Sequence, residues 1–381
     1  MATDERTQNK RKRNSAIKLR VYPTAEQAAQ IDHTFDCCRF LWNQMLADEQ
    51  EFYAATGEHF IPAPARYKKD FPFLKEADSL ALSSVHQNLR RAFQKFFDQP
   101  EHYRYPVFKR SKDARGSYTT YCQYFKSGPT VYLTDEGIRL PKIGILRANF
   151  HRKPLHWWTL KSATVSKSAT GKYFCSLLYE FEEQTPEAAL PTEDTTLGVN
   201  FSPARLYVDS EGGTGELPEH IRKTQEKLAL AQRRLSRMER GSRNYEQQLQ
   251  KIRLLHERIA NQRRNHLHKE SRRMADSYDA VCVSDLNLRE ISRQMKPGST
   301  IDAGFGELRV QLAYKLERQG KQLISVKKYS PTARTCARCG HENTDAPAGR
   351  NWKCEKCGAR LDRAENAAVN IKKFGLEQHQ K

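Results

Sequence analysis

CARCGHENTDAPAGRNWKCEKCGARLDRAENAAVNI, residues 336–371, sets two Cys-x-x-Cys pairs ahead of a short acidic and then apolar run. Cys336 and Cys339 form the first pair, Cys354 and Cys357 the second, with 14 residues between the pairs. A glycine follows each pair directly, so one tight turn presents two sulfurs to one ion. Tetrahedral zinc takes thiolates at about 2.3 Å, and four of them close the site to substrate, so the expected zinc is structural. A redox reading needs one pair in a thioredoxin-like surround, which is absent. His341 reads as a loop residue rather than a fifth ligand. In LDRAENAAVNI, residues 361–371, Asp362 and Glu365 suggest metal chemistry, yet Ala364 stands between them where a carboxylate would serve.

Lys plus Arg number 65 against 45 Asp plus Glu, a net of +20 over 381 residues. That exceeds what solubility asks and points to a polyanion, with nucleic acid favoured over an anionic membrane. No apolar run approaches the roughly 18 to 20 residues of a membrane span. MATDERTQNKRKRN has no apolar core to follow its charges, so it is not read as a secretory signal, and a cytoplasmic protein is expected. Besides the two pairs, Cys37, Cys38, Cys122, Cys175 and Cys282 are scattered, which favours a reduced compartment over a disulfide framework.

Residues 1–16 are polar and basic and read as a disordered tail. Residues 17–23 form a first strand, with Ile17, Leu19 and Val21 alternating against polar neighbours. Thr24 with Gln27 makes a capping box, and helical periodicity runs in bursts through 24–104. Residues 105–190 alternate apolar and polar with Gly and Pro punctuation, as in a β-barrel or sandwich. The strand before the helices and those after them could share one sheet, with the helical segment inserted. From 191 to 331 a β-hairpin, LGVNFSPARLYVDSEGG, precedes a basic helical hairpin over 221–273 and then strand, helix and strand, which implies an α/β domain. Residues 222–273 hold 16 basic and 5 acidic side chains, a net of +11, so this hairpin is expected to face nucleic acid. The cysteine module covers 332–360, and 361–381 complete the α/β domain.

The order GVNFS, RMERGSRN, HERIANQRRNHLHKESRRM, VCVSDLNL, SPTARTCARCG, LDRAENAAVNI resembles TnpB, the transposon-encoded RNA-guided nucleases from which type V CRISPR effectors descend. The likeness spans most of 17–373; before residue 197 it is looser and rests on FPFLKEADSLALSSVHQNLRRAFQKFF. It implies a multidomain α+β fold: a wedge β-barrel with an inserted helical recognition lobe, then a RuvC-like RNase H fold with an inserted zinc ribbon. In that family three carboxylates hold two divalent metals. Carried over position by position, the three places fall on Asn200, Ser284 and Ala364, none of them acidic. No catalytic Mg²⁺ is therefore expected, and the chain most resembles the nuclease-dead TnpB-like repressors (TldR).

That likeness implies a guide RNA derived from a transposon end, a double-stranded DNA target with a short flanking motif, no membrane, one protein per guide, and residence on the bacterial nucleoid. It points to Tyr53, Lys75, Gln87, Asn88, Thr119 and Tyr121 for the flanking motif. Arg233, Arg234, Arg237, Arg263 and Arg264 are the expected phosphate contacts. Trp157 and Trp158 are candidates to stack on RNA, with a core role anticipated for at least one.

Overall fold

The computed structural model describes residues 10–110, 116–184, 186–202, 205–285, 302–327, 330–344 and 349–379. The chain divides into two compact units, Met1–Gln184 and Thr185–Lys381.

In the first unit, strand β1 (Lys10–Val21) leads into helices α1 (Ala25–Thr56), α2 (Pro64–Asp70) and α3 (Ser79–Asp98). The capping box forms at the start of α1: Gln27 N–H donates to Thr24 Oγ1 at 3.2 Å and Thr24 N–H to Gln27 Oε1 at 3.1 Å. The later strands are β2 (Gly116–Tyr121), β3 (Tyr124–Phe125), β4 (Gly128–Pro129), β5 (Tyr132–Leu133), β6 (Gly137–Leu140), β7 (Gly144–Asn149), β8 (Thr159–Lys167) and β9 (Tyr173–Gln184). β1 pairs with β9 from Lys10↔Gln184 to Val21↔Tyr173 and, at its end, with β7. The helices are thus an insertion between the first and second strands of one antiparallel sheet.

Two expectations change here. The first strand starts at Lys10, inside the segment read as a tail, because β9 runs on far enough to give every residue from 10 a ladder partner. Residues 1–9 lie outside the described part. The sheet runs β2-β8-β9-β1-β7-β6-β5 and is open among the described residues, so no closed barrel is seen. Alternation specifies one buried face per strand, which an open sheet satisfies as well; closure needs its two edge strands to pair, and β5 is only two residues long.

The second unit carries β10 (Thr196–Phe201), β11 (Tyr207–Asp209), helices α4 (Glu219–Leu235) and α5 (Arg243–Ser277), β12 (Ala280–Ser284), α6 (Asp302–Arg318), β13 (Gln322–Val326), β14 (Asn351–Lys353), β15 (Arg360–Asp362) and α7 (Arg363–His379). The main sheet is ordered β11-β10-β12-β13, with β10, β12 and β13 parallel and β11 antiparallel at the edge. One face buries Leu197, Val199, Phe201, Val281 and Val283 against Leu267 and Met274 of α5 and Phe305, Leu308 and Leu312 of α6. The opposite face receives α7, where Cys282, Val326 and Ile371 form a smaller cluster. Gly198 makes that close approach possible: a Cβ there would sit 2.1 Å from the Ala368 carbonyl oxygen. The residues after Asp285 in the VCVSDLNL segment fall outside the described part.

Candidate functional site

The cysteine module is built from two like turns. In the first, Gly340 N–H donates to the Cys336 carbonyl at 2.9 Å and Cys336 N–H to the His341 carbonyl at 2.8 Å. In the second, Gly358 N–H donates to the Cys354 carbonyl at 3.0 Å and Cys354 N–H to the Ala359 carbonyl at 2.9 Å. Both glycines take positive φ, 72° and 71°, which the turn requires and a side chain resists. The four sulfurs lie within 4.8 Å of one another, with Cys336–Cys357 at 3.8 Å and Cys339–Cys354 at 3.7 Å. A zinc–sulfur bond of about 2.3 Å makes the edge of a regular tetrahedron about 3.8 Å, so the quartet fits zinc. Within the quartet the N–H of Cys357 aimed at Cys354 lowers that thiol, whereas at Cys339 the N–H of His341 is outweighed by desolvation and the neighbouring thiols, which push it up, so one proton is shared unevenly among the four sulfurs.

Helix α7 grips this module. Buried Asn366 accepts from Ala337 N–H at 2.8 Å and donates to the Thr335 carbonyl at 2.8 Å. Asn370 donates to the carbonyls of Thr332 and Thr335, and Lys373 to that of Ala337. Asn366 and Asn370, one turn apart, thus fix the first cysteine turn to the helix that covers the sheet.

A cleft of about 590 Å³ opens where β10 and β12 end beside the start of α7. Ligands of parallel sheets gather at such strand ends. Asn200, Ser284 and Ala364 all line it, though 164 residues separate the first from the last. Asn200 donates to the Ala364 carbonyl at 3.1 Å. Asp362 is the one carboxylate among the described lining residues, and both its oxygens are engaged. Oδ1 caps α7 by accepting from Ala364 N–H at 2.8 Å and Glu365 N–H at 3.3 Å, while Oδ2 meets Arg350 Nε at 3.0 Å. Burial raises the Asp362 pKa, but the Arg350 and backbone hydrogen bonds outweigh it and hold the carboxyl below its ordinary value.

The neighbouring acids point elsewhere. Asp285, one residue past Ser284 and so on the other face of the sheet, pairs with Arg309 of α6 at 3.4 Å. Asp209 is buried and closes its own turn, accepting from Glu211 N–H at 3.0 Å and Gly213 N–H at 2.7 Å. The remaining charge of the cleft is cationic: Arg205, Arg350 and Arg363 line it. Sequence reasoning passed over all three. Arg363 adjoins Asp362 and could have been noticed; Arg205 and Arg350 carry no local signal.

In the first unit, four of the six residues assigned to flanking-motif contact come together where α3 meets β2. The Tyr121 hydroxyl donates to Gln87 Oε1 at 2.9 Å. Asn88 and Thr119 line a cleft of about 580 Å³ with Arg39, Lys109 and Arg110. Tyr53, at the end of α1, and Lys75, in the 3₁₀ turn Pro72–Lys75, are exposed and do not line it. Lys109 was not foreseen; its ammonium lies 3.8 Å from the Trp42 ring centroid, and burial lowers its pKa.

Trp157 is 53% exposed, whereas Trp158 stacks on Phe181 at 4.3 Å and packs against the core. Both line a cleft of mixed charge that also holds Glu180, Glu182 and Glu183 with Lys10 and Lys12, and the Arg152 guanidinium lies 5.2 Å from the Trp158 ring centroid. Arg233, Arg234 and Arg237 are exposed at the α4 end of the basic hairpin. Arg264 pairs with Glu307 at 3.2 Å, and half-buried Arg263 has an Nε without a hydrogen-bond partner. No helix among the described residues is long and apolar enough to cross a membrane.

Known proteins match along the chain. Residues 305–371 match the Cas12f1-like TNB domain, 176–295 the IS605 OrfB family described as "Probable transposase", and 13–58 the IS605 OrfB helix-turn-helix domain. In this chain that last stretch is a strand and one unbroken helix. A Streptomyces pristinaespiralis protein named "Putative RNA-guided DNA endonuclease" is 32% identical over 375 residues, 95% of this chain and 89% of its own. InsQ of Escherichia coli (strain K12), which bears the same description, is 29% identical over 94% of this chain and 92% of its own. The cryo-EM structure of a Cas12f1-sgRNA-target DNA complex matches with a TM-score of 0.59 over 95% of this chain and 99% of that one, at 14% identity. At that identity the likeness establishes a shared Cas12f-like fold.

Proposed function

This chain belongs to the TnpB (IS605 OrfB) family, and on that footing we propose that it is an RNA-guided DNA-binding protein that does not cut its target. A guide RNA derived from a transposon end supplies sequence specificity by pairing, while the protein reads a short flanking motif and the heteroduplex backbone. The resulting R-loop, laid over a promoter, keeps RNA polymerase off, so the biological output is repression, as in the nuclease-dead repressors (TldR).

The observation that carries the reading is the cleft at the ends of β10 and β12. Asn200, Ser284 and Ala364 are neutral, and the only lining carboxylate described, Asp362, already serves Arg350 and two backbone N–H groups. A pair of Mg²⁺ ions sheds water only for several anionic oxygens, which these residues do not offer. Asp362 is the one feature in favour of a residual single-metal site, and breaking its cap and ion pair would offset what one ligand gains.

Three measurements test the proposal with the full chain expressed beside its own flanking DNA. Sequencing of the copurified RNA is expected to show one dominant structured species with a guide at its 3′ end. Incubation of that complex with matching plasmid and Mg²⁺ should leave the plasmid supercoiled, and nicking or linearisation would return the protein to the nucleases. A reporter with the matching target in its promoter should fall silent; binding without silencing would indicate a transposon accessory protein instead.

A further inference from the structure

Each cysteine turn turns one sulfur inward and one to solvent. Cys336 and Cys354, the first of each pair, are 1% exposed, whereas Cys339 and Cys357, the second of each pair, are exposed. All four sulfurs lie within 4.8 Å of one another, so the two exposed ones are neighbours from different turns. A thiol that ligates zinc is deprotonated, and the thiolate is the form that oxidants attack. The other cysteines differ. Cys37, Cys38, Cys175 and Cys282 are buried, and burial pushes their thiols up, to about 11 at Cys37 and about 12 at the other three. Half-buried Cys122 donates to the Val131 carbonyl at 3.3 Å. The two turns are also held unequally. Asn366, Asn370 and Lys373 bond the first to α7. The second is the tip of the β14–β15 hairpin, and it meets the first through Glu355, whose N–H donates to buried Asn343 at 3.1 Å and whose carboxylate lies 3.9 Å from His341. A zinc ion shared by both turns strengthens that junction, and the base of the same hairpin carries Asp362, the cap of α7.

We propose that Cys339 and Cys357 are a modification site for peroxides, which join them as a disulfide and so dismantle the zinc quartet. One thiolate attacks a peroxide oxygen and breaks the O–O bond, becoming a sulfenic acid as hydroxide leaves. The second thiolate attacks the sulfenic sulfur and expels another hydroxide. Two thiolates thus lose two electrons, and hydrogen peroxide gains them as two hydroxide ions, which take protons from water. Cys336 and Cys354 are left as buried thiols that cannot hold the metal alone, and the folding free energy that zinc supplies is lost. The reaction is independent of guide RNA and of DNA cutting.

The test treats the zinc-loaded full chain with hydrogen peroxide beside free glutathione, follows zinc with a chromophoric chelator, and then alkylates and digests the protein. Trypsin cuts after Arg338, Arg350, Lys353 and Lys356, which puts each of the four cysteines on its own peptide. Zinc is expected to be lost as the Cys339 peptide becomes linked to the Cys357 peptide, with Cys336, Cys354 and the four buried cysteines still open to alkylation after denaturation. Reductant with added zinc should restore the metal and the melting temperature. Cys339→His keeps four ligands but removes one of the two thiols, so it should lose zinc more slowly than the wild type; an equal rate would count against the site. Zinc that stays bound while glutathione is fully oxidised would overturn the proposal, and so would a first cross-link that includes Cys336 or Cys354. The wild-type peptide map decides between these outcomes even where the variant fails to hold zinc.

Discussion

The side-chain amide of Asn200, on β10, donates a hydrogen bond to the main-chain carbonyl of Ala364, in the first turn of α7, across 3.1 Å. Two neutral residues of the cleft are therefore joined by a bond that a carboxylate could not make. Asn200→Asp by itself sets an acceptor against an acceptor in a half-buried place. It is expected to cost about 1–3 kcal/mol, visible as a lower urea midpoint, whereas Asn200→Ala should cost less because it removes the donor without adding a charge. A midpoint raised by Asn200→Asp would mean that the hydrogen bond is not formed in solution.

The grip of α7 on the cysteine turns predicts that metal retention depends on a residue that does not touch the metal. Asn366→Ala leaves Ala337 N–H without its acceptor and is expected to cost about 1–3 kcal/mol. Zinc should then pass faster to a chromophoric chelator. Cys354→Ser should lower the zinc content and melting temperature outright, since structural zinc is folding free energy. Unchanged zinc content in Cys354→Ser would contradict the four-thiolate site.

The hairpin arginines differ in their engagement, and salt dependence reads the difference. Arg233→Gln, Arg234→Gln and Arg237→Gln together should flatten the slope of log affinity against log salt by about 0.9 for each phosphate no longer neutralised. Arg264→Gln should change it less, because Glu307 at 3.2 Å already occupies that guanidinium. An unaltered slope in the triple variant would mean that this face of α4 is turned to solvent.

Acid should weaken the second unit through His266. Burial lowers its pKa below the ordinary histidine value of 6.5, and its Nε2 is enclosed without a partner. The unfolded chain then binds the proton more readily than the folded one. The histidine's contribution is present above pH 6.5 and is lost as pH falls from there through the folded value. The urea midpoint should drop between pH 7.5 and 5.5, and His266→Gln should lessen that drop; an equal drop in both would place the titration elsewhere, for instance in the cysteine site.

Much of the architecture was legible because its signals are local or strictly periodic. The capping box at Thr24 and Gln27 is three residues wide, and each cysteine turn is closed by hydrogen bonds reaching no farther than five residues. Alternation in β1 and β9 marked which residues would be buried. Adjacent residues could still part ways: Trp157 and Trp158 read alike, but only Trp158 meets Phe181 from β9, and that partner lies more than 20 residues on.

Residue identity alone settled the chemistry at particular positions: four cysteines paired for one ion, a basic hairpin between strands, and neutral residues at 200, 284 and 364. That the first sheet stays open is a property of the assembled fold, since closure depends on edges that no single strand encodes. The gathering of Arg205, Arg350 and Arg363 around those neutral residues belongs to the fold as well, because parallel strands converge at their ends through crossovers too long to leave a local trace.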